Sequence, residues 1–186
     1  MTNKLLLFAV CLFRFTISYG QFHQFETFIP SNFTLLDSAS GDINQDGLTD
    51  LVLILRDTAE KRDTATNRPL LLLQGNGKRL YRLIGRNDSV VLCLNCGGIW
   101  GDPYEGITIK KGYFSIEHMG GSNWRWTRII TFKFDVKRKR FVLHRDAGYS
   151  WWTLKSGHEE DIVTSKKDFD KLPFDNYRYE KNPNDR

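Results

Sequence analysis

Nine consecutive residues carry the clearest chemistry in this 186-residue chain: Asp42-Ile43-Asn44-Gln45-Asp46-Gly47-Leu48-Thr49-Asp50. Oxygen-bearing side chains stand at loop positions one, three, five and nine, and Gly47 at position six permits a tight bend. Calcium takes roughly 6–8 oxygen ligands. Asp42, Asn44, Asp46 and Asp50 supply side-chain oxygens that a backbone carbonyl near Leu48 and water would complete. Magnesium, smaller and reluctant to shed its water, fits less well. Carboxylates gathered in one loop repel each other without a cation, so the ion is expected to order the loop and the strand after it. The competing reading is a turn that binds nothing, because Asp and Gly favour turns on their own account.

The flanks discriminate between families. A helix-flanked calcium hand needs a bidentate Glu at position twelve, and Leu53 stands there, inside the apolar run Leu51 to Leu55. Over Ser40 to Leu55, the pattern Asp-x-Asn-x-Asp-Gly-x-x-Asp running directly into a hydrophobic strand resembles the FG-GAP or VCBS repeat. That repeat is the calcium loop of integrin α-chain propellers and of many exported bacterial proteins. The resemblance implies Asp42, Asn44, Asp46 and Asp50 as side-chain ligands, Leu48 as a carbonyl ligand, a structural Ca2+ and a propeller-blade-like unit. Propellers repeat the blade roughly 4–8 times, and the chain holds no second Asp-x-Asn-x-Asp-Gly, so a complete propeller is not expected. The segment from Gly97 to Trp126 is also similar to exported bacterial proteins that carry one such loop.

Other groups give weaker signals. Cys93-Leu94-Asn95-Cys96 could be a redox couple, half a zinc site or a disulfide. His118, His144 and His158 lack the paired spacing of zinc ligands, and the cysteine pair ends a strand and meets Gly97-Gly98, so a structural disulfide is expected. All five tryptophans fall between Trp100 and Trp152. Alternation puts Trp124 and Trp126 on a core face with Ile130, Phe132 and Phe134, which leaves Trp100, Tyr104, Trp151 and Trp152 as the candidate ligand surface. A hydrolase would draw its acid and base from Glu105, Glu117 or His118, with Asp102 nearby; core or turn roles are the preferred reading of these groups. No catalytic motif is present that would name a reaction.

The elements that must position these groups are strands. From Leu51 to Trp152 the apolar runs are short, rich in Val, Ile and aromatics, and punctuated by Gly and Asn. Leu51–Leu55 and Leu70–Leu73 are continuous runs expected to be buried on both faces, with a polar loop from Asp57 to Arg68 between them. Gly75-Asn76-Gly77 predicts a turn into a strand from Arg79 to Ile84, and Ser89–Leu94 predicts another. A meander follows: Ile107–Ile109, a Lys111-Gly112 turn, Tyr113–His118, Trp124–Asp135, Phe141–Arg145 and Tyr149–Leu154. The expected fold is all-β, an antiparallel meander or sandwich with one propeller-blade-like unit over residues 21–154. Residues 155–186 read as a polar tail with a short helix near Ser165–Asp170 and docking points at Phe169, Leu172 and Phe174.

Residues 1–20 read as a cleaved secretory leader: Lys4, an apolar run from Leu5 to Phe15 broken by Arg14, then Ser18-Tyr19-Gly20. A lipoprotein acylated at Cys11 is the minor alternative. Removing Lys4 and Arg14 with the leader lowers the formal charge from +5 to +3, and no later run reaches spanning length. The Lys137–Arg140 cluster reads as a solvated turn, so nucleic acid is not the expected partner. The expectation is therefore an exported, periplasmic or extracellular, calcium-binding module that recognises or scaffolds a protein or glycan. A small secreted hydrolase and an inhibitor of an envelope enzyme are the alternatives.

Overall fold

The two uninterrupted apolar runs become the middle of a sheet, as burial on both faces requires. A computed structural model describes residues 23–61, 66–154, 159–163 and 168–180. In it β1 (Phe33–Gly41), β2 (Asp50–Asp57), β3 (Arg68–Gly75) and β4 (Tyr81–Val91) pair antiparallel in chain order. Val52, Ile54, Leu70 and Leu72 face the second sheet, while Leu53, Leu55, Leu71 and Leu73 pack beneath Phe25, Phe28, Ile29 and Phe33. Each such side chain contributes about 1.5–3 kcal/mol on full burial. The Phe25–Phe28 segment, a single 3-10 turn, thus covers the face that the second sheet does not.

The second sheet is also an antiparallel meander: β5 (Tyr104–Lys110), β6 (Tyr113–Gly121), β7 (Trp124–Asp135), β8 (Arg140–Trp152) and β9 (Glu159–Val163). Phe114, Ile116, Ile130, Phe132, Phe141 and Leu143 carry its inner face into the core shared with the first sheet. The first strands of the two sheets lie side by side: Tyr104 on β5 donates its hydroxyl to Asp37 Oδ2 on β1 at 2.6 Å. The all-β expectation holds, with neither sheet closed into a barrel. Among the described residues no helix is long and apolar enough to cross a membrane.

Three expectations need correction. The runs expected over 79–84 and 89–94 are joined in one strand, β4 (Tyr81–Val91), in which Gly85, Arg86 and Asn87 pair regularly with Leu72, Leu71 and Leu70 and the register against β3 shifts on either side of them. Phe141–Arg145 and Tyr149–Leu154 likewise join as β8, since Asp146 is drawn inward by Arg128 and Gly148 lies against the Thr127 carbonyl. The C-terminal segment is more than a polar tail: β9 extends the second sheet and Tyr177 is a core residue, while Phe174 is buried in the core as its docking role required. Phe169 and Leu172 pack against the same core as expected. The leader over 1–20 and the Ser165 end of the expected helix lie outside the described residues; Asp168 is 3-10 helical and residues 169–170 are turn.

Candidate metal loop and aromatic face

Residues 42–50 connect β1 to β2. Gln45 and Gly47 adopt left-handed backbone, φ 65° and 83°, which folds the intervening N–H groups back toward the loop's own oxygens. Asp42 accepts from the N–H groups of Asp46 and Gly47, both at 3.1 Å. Asn44 Oδ1 accepts from Asp46 N at 2.9 Å, and Asp46 Oδ1 from Leu48 N at 2.8 Å. Asp46 Oδ2 takes the amides of Gln74 and Asn44 at 2.8 and 3.0 Å. Burial works against its charge, but these bonds prevail and hold the Asp46 carboxyl below the usual range.

Asp50 behaves differently. It has no exposed surface, and its oxygens accept from Ile43 N at 3.2 Å and Gly75 N at 3.0 Å. Burial first, and the negative charge of Asp46 second, push its pKa up to about 6. Gly75 is required here, because a Cβ would lie 2.0 Å from the Thr49 carbonyl oxygen. The donor set of Asp42, Asn44, Asp46 and the Leu48 carbonyl is all oxygen on one turn, while both oxygens of Asp50 are engaged by backbone N–H groups. These residues fit an oxygen-preferring dication in type. Among the described residues, no group of three or more His, Cys, Asp and Glu side chains converges on one point.

Cys93 and Cys96 form a disulfide with Cα atoms 5.2 Å apart. The acid–base candidates do not meet. His118 is buried on the inner face of β6, whereas Glu117, the adjacent residue, projects outward and accepts from Thr108 Oγ1 at 2.9 Å. Burial, then the Arg128 charge, lowers His118 to about 3, and its Nδ1 has no hydrogen-bond partner among the described residues. Glu105 is exposed on β5, and Asp102 is held in a bidentate pair with buried Arg68, both bonds 2.8 Å.

The aromatic candidates divide. Trp152 packs edge-on against Trp124, with ring centres 5.5 Å apart, on the inward parity of β7 and β8. Tyr104 lies between the sheets. Trp151 instead shares the outer face with two groups absent from the candidate list: it stacks on Tyr149 at 5.0 Å and stands opposite Arg125, whose guanidinium lies 4.7 Å over the ring of Trp100. Thr127 stands opposite Tyr149, and Ile129 continues the row on β7. Trp100, Tyr149 and Ile129 are each about half exposed. Trp100, Arg125, Trp151 and Tyr149 therefore make one aromatic and cationic strip. Strand alternation could have found Tyr149 and Arg125, since both share the parity opposite Trp126 once β7 and β8 are aligned.

Arg128 was hidden within an otherwise apolar parity. It is fully buried and bidentate to Asp146 at 2.6 and 2.8 Å; Tyr177 donates its hydroxyl to the same carboxylate at 2.7 Å, and Tyr179 lies under the guanidinium at 4.2 Å. Comparison with protein-family models, curated sequences and solved structures gave no match to the chain.

Proposed function

We propose that this protein is an exported recognition module in which Ca2+ stiffens the 42–50 loop and the outer face of the second sheet binds a glycan. The observation that carries the reading is the strip in which Arg125 on β7 and Tyr149 and Trp151 on β8 meet Trp100 from the turn before β5, with Trp100 and Tyr149 about half exposed. Flat aromatic faces pack against the apolar C–H faces of sugar rings, and Arg125 and Thr127 offer hydrogen bonds to hydroxyls. A contiguous, partly exposed aromatic row of this kind is a common mark of a binding surface. The FG-GAP/VCBS-like loop supports a structural cation held by Asp42, Asn44, Asp46 and the Leu48 carbonyl. Asp50 is closed onto Ile43 and Gly75 and acts in this reading as the brace that fixes the loop to β3. The disulfide is consistent with an oxidising compartment, which supports export.

The separation of Glu117 from His118 gives the hydrolase alternative no assembled acid–base pair. A protein partner, including an envelope enzyme to be inhibited, would use the same strip and is distinguished by experiment. Co-sedimentation with insoluble chitin, cellulose and peptidoglycan tests the reading. Retention on at least one, lost in the folded Tyr149→Ala/Trp151→Ala variant, is expected. Absence of retention on all of them removes the glycan as the ligand.

A further inference from the structure

A second concave feature shares no residue with the aromatic strip. A cleft of about 640 Å³ opens between the 42–50 loop and the β7–β8 turn. Its floor is apolar, made by Ile84, Phe134, Phe141 and Phe174, and the last two belong to the central core. Cations stand on its walls: Arg82 from β4 on one side, Lys139 and Arg140 at the start of β8 on the other. Arg82 is fixed in place, its Nε and Nη2 donating to Gln74 Oε1 at 2.9 and 2.6 Å. The turn that presents Lys139 is fixed too, because Asp135 accepts from the N–H groups of Lys137 and Arg138 at 3.0 Å and Lys139 adopts left-handed backbone.

Two acids also line the cleft, Asp46 and Asp175. Asp46 already accepts from Leu48 N, Asn44 and Gln74, and three cationic side chains against two carboxylates leave the lining net positive. The size lies within the range of about 300–1,000 Å³ typical of small-molecule sites, and an apolar floor with a few convergent polar groups is the usual composition of such sites. We propose that the cleft binds a small organic anion with an apolar body, its carboxylate on Arg82, Lys139 and Arg140 and its hydrocarbon on the phenylalanine floor. The net positive lining disfavours a hydrophobic cation, and the apolar floor favours a chain or ring over a bare inorganic anion. The cleft shares Asn44, Asp46 and, through Gln74, the support of Arg82 with the 42–50 loop, and no residue with the aromatic strip.

Titration calorimetry of the mature chain with dodecanoate below its micellar concentration, in chelator, tests the proposal. Saturable one-to-one binding is expected, weakened about tenfold or more in Lys139→Glu/Arg140→Glu. Ile84→Trp, which fills the floor, should abolish it, while Arg56→Glu, a charge reversal outside the cleft, should leave it unchanged; melting curves establish that each variant is folded. Lack of binding, or binding indifferent to both cleft variants, would overturn the proposal. So would association with phosphatidylglycerol vesicles without binding of monomeric dodecanoate, because the surface would then be reading a membrane.

Discussion

Two buried ionisable groups, Asp50 and His118, make the residue scale testable through pH. Asp50 has a folded pKa raised from 3.8 to about 6, so the folded state holds a proton that the unfolded chain has already released. Stability contributed by Asp50 therefore falls as pH rises from about 4 to about 6, and the penalty is complete above that window. His118 acts in the opposite sense. Its folded pKa is depressed from 6.5 to about 3, so its contribution is fully present above about pH 6.5 and is lost as pH falls toward 3. The two slopes oppose each other between about pH 4 and 6. In chelator, Asp50→Asn should unmask stability that rises with pH, approaching about 1.4 kcal/mol per pH unit, and His118→Phe should unmask a fall of similar size. Urea unfolding at several pH values checks both, and unchanged slopes in both variants would contradict the burial argument. The sequence made the spacing of Asp42, Asn44, Asp46 and Asp50 legible, but not their division of labour. That Asp50 turns onto Ile43 N and Gly75 N depends on β3 arriving alongside, and no local pattern records that approach.

At the scale of elements, the Arg128–Asp146 pair couples β7 to β8 and both to the chain around Tyr177–Glu180. Arg128 Nη1 donates to the Glu180 carbonyl, and Tyr177 completes the Asp146 side. Removing one charge leaves the other buried, so Asp146→Ala should lower stability by about 3–5 kcal/mol. The double variant Arg128→Met/Asp146→Leu should recover most of that loss, as replacement of buried ion pairs by apolar groups often does. Equal losses in the single and double variants would mean that the pair is not the source of the cost. The disulfide is a smaller element-level contribution: it closes a very short loop, so Cys93→Ser/Cys96→Ser should cost about 2 kcal/mol or less in denaturant midpoint analysis. Strand existence was legible from alternation, and Trp124–Asp135 matches β7 at both ends. Strand continuity was not. Asn87 interrupts β4 in sequence but uses its side-chain amide to donate to the Phe174 and Tyr177 carbonyls, a contact with chain about ninety residues away.

For the whole molecule, two meanders meet at β1 and β5, and the C-terminal segment bridges the far side between β4 and β8. Leu143 N donates to the Leu172 carbonyl and Asp170 N to the Leu143 carbonyl, each within 2.8 Å, while Asn87 holds the same segment from the first sheet. A polar composition concealed this role, because Tyr177 and Tyr179 stand among charged residues and only their burial identifies them as core contacts. We infer that the 42–50 loop is a cation site that stiffens this arrangement from the β1–β2 connection. Thermal unfolding of residues 21–186 in chelator and then across a calcium titration tests it most directly. Calcium at about a hundred times its dissociation constant should add about 2.7 kcal/mol, a rise of about 5–10 °C for a chain of this size. Asp46→Ala should remove that rise while leaving the melting temperature in chelator within a few degrees of the parent. A saturable rise that disappears in Asp46→Ala is the predicted result; no rise at millimolar calcium, or a rise that survives the substitution, would contradict the claim.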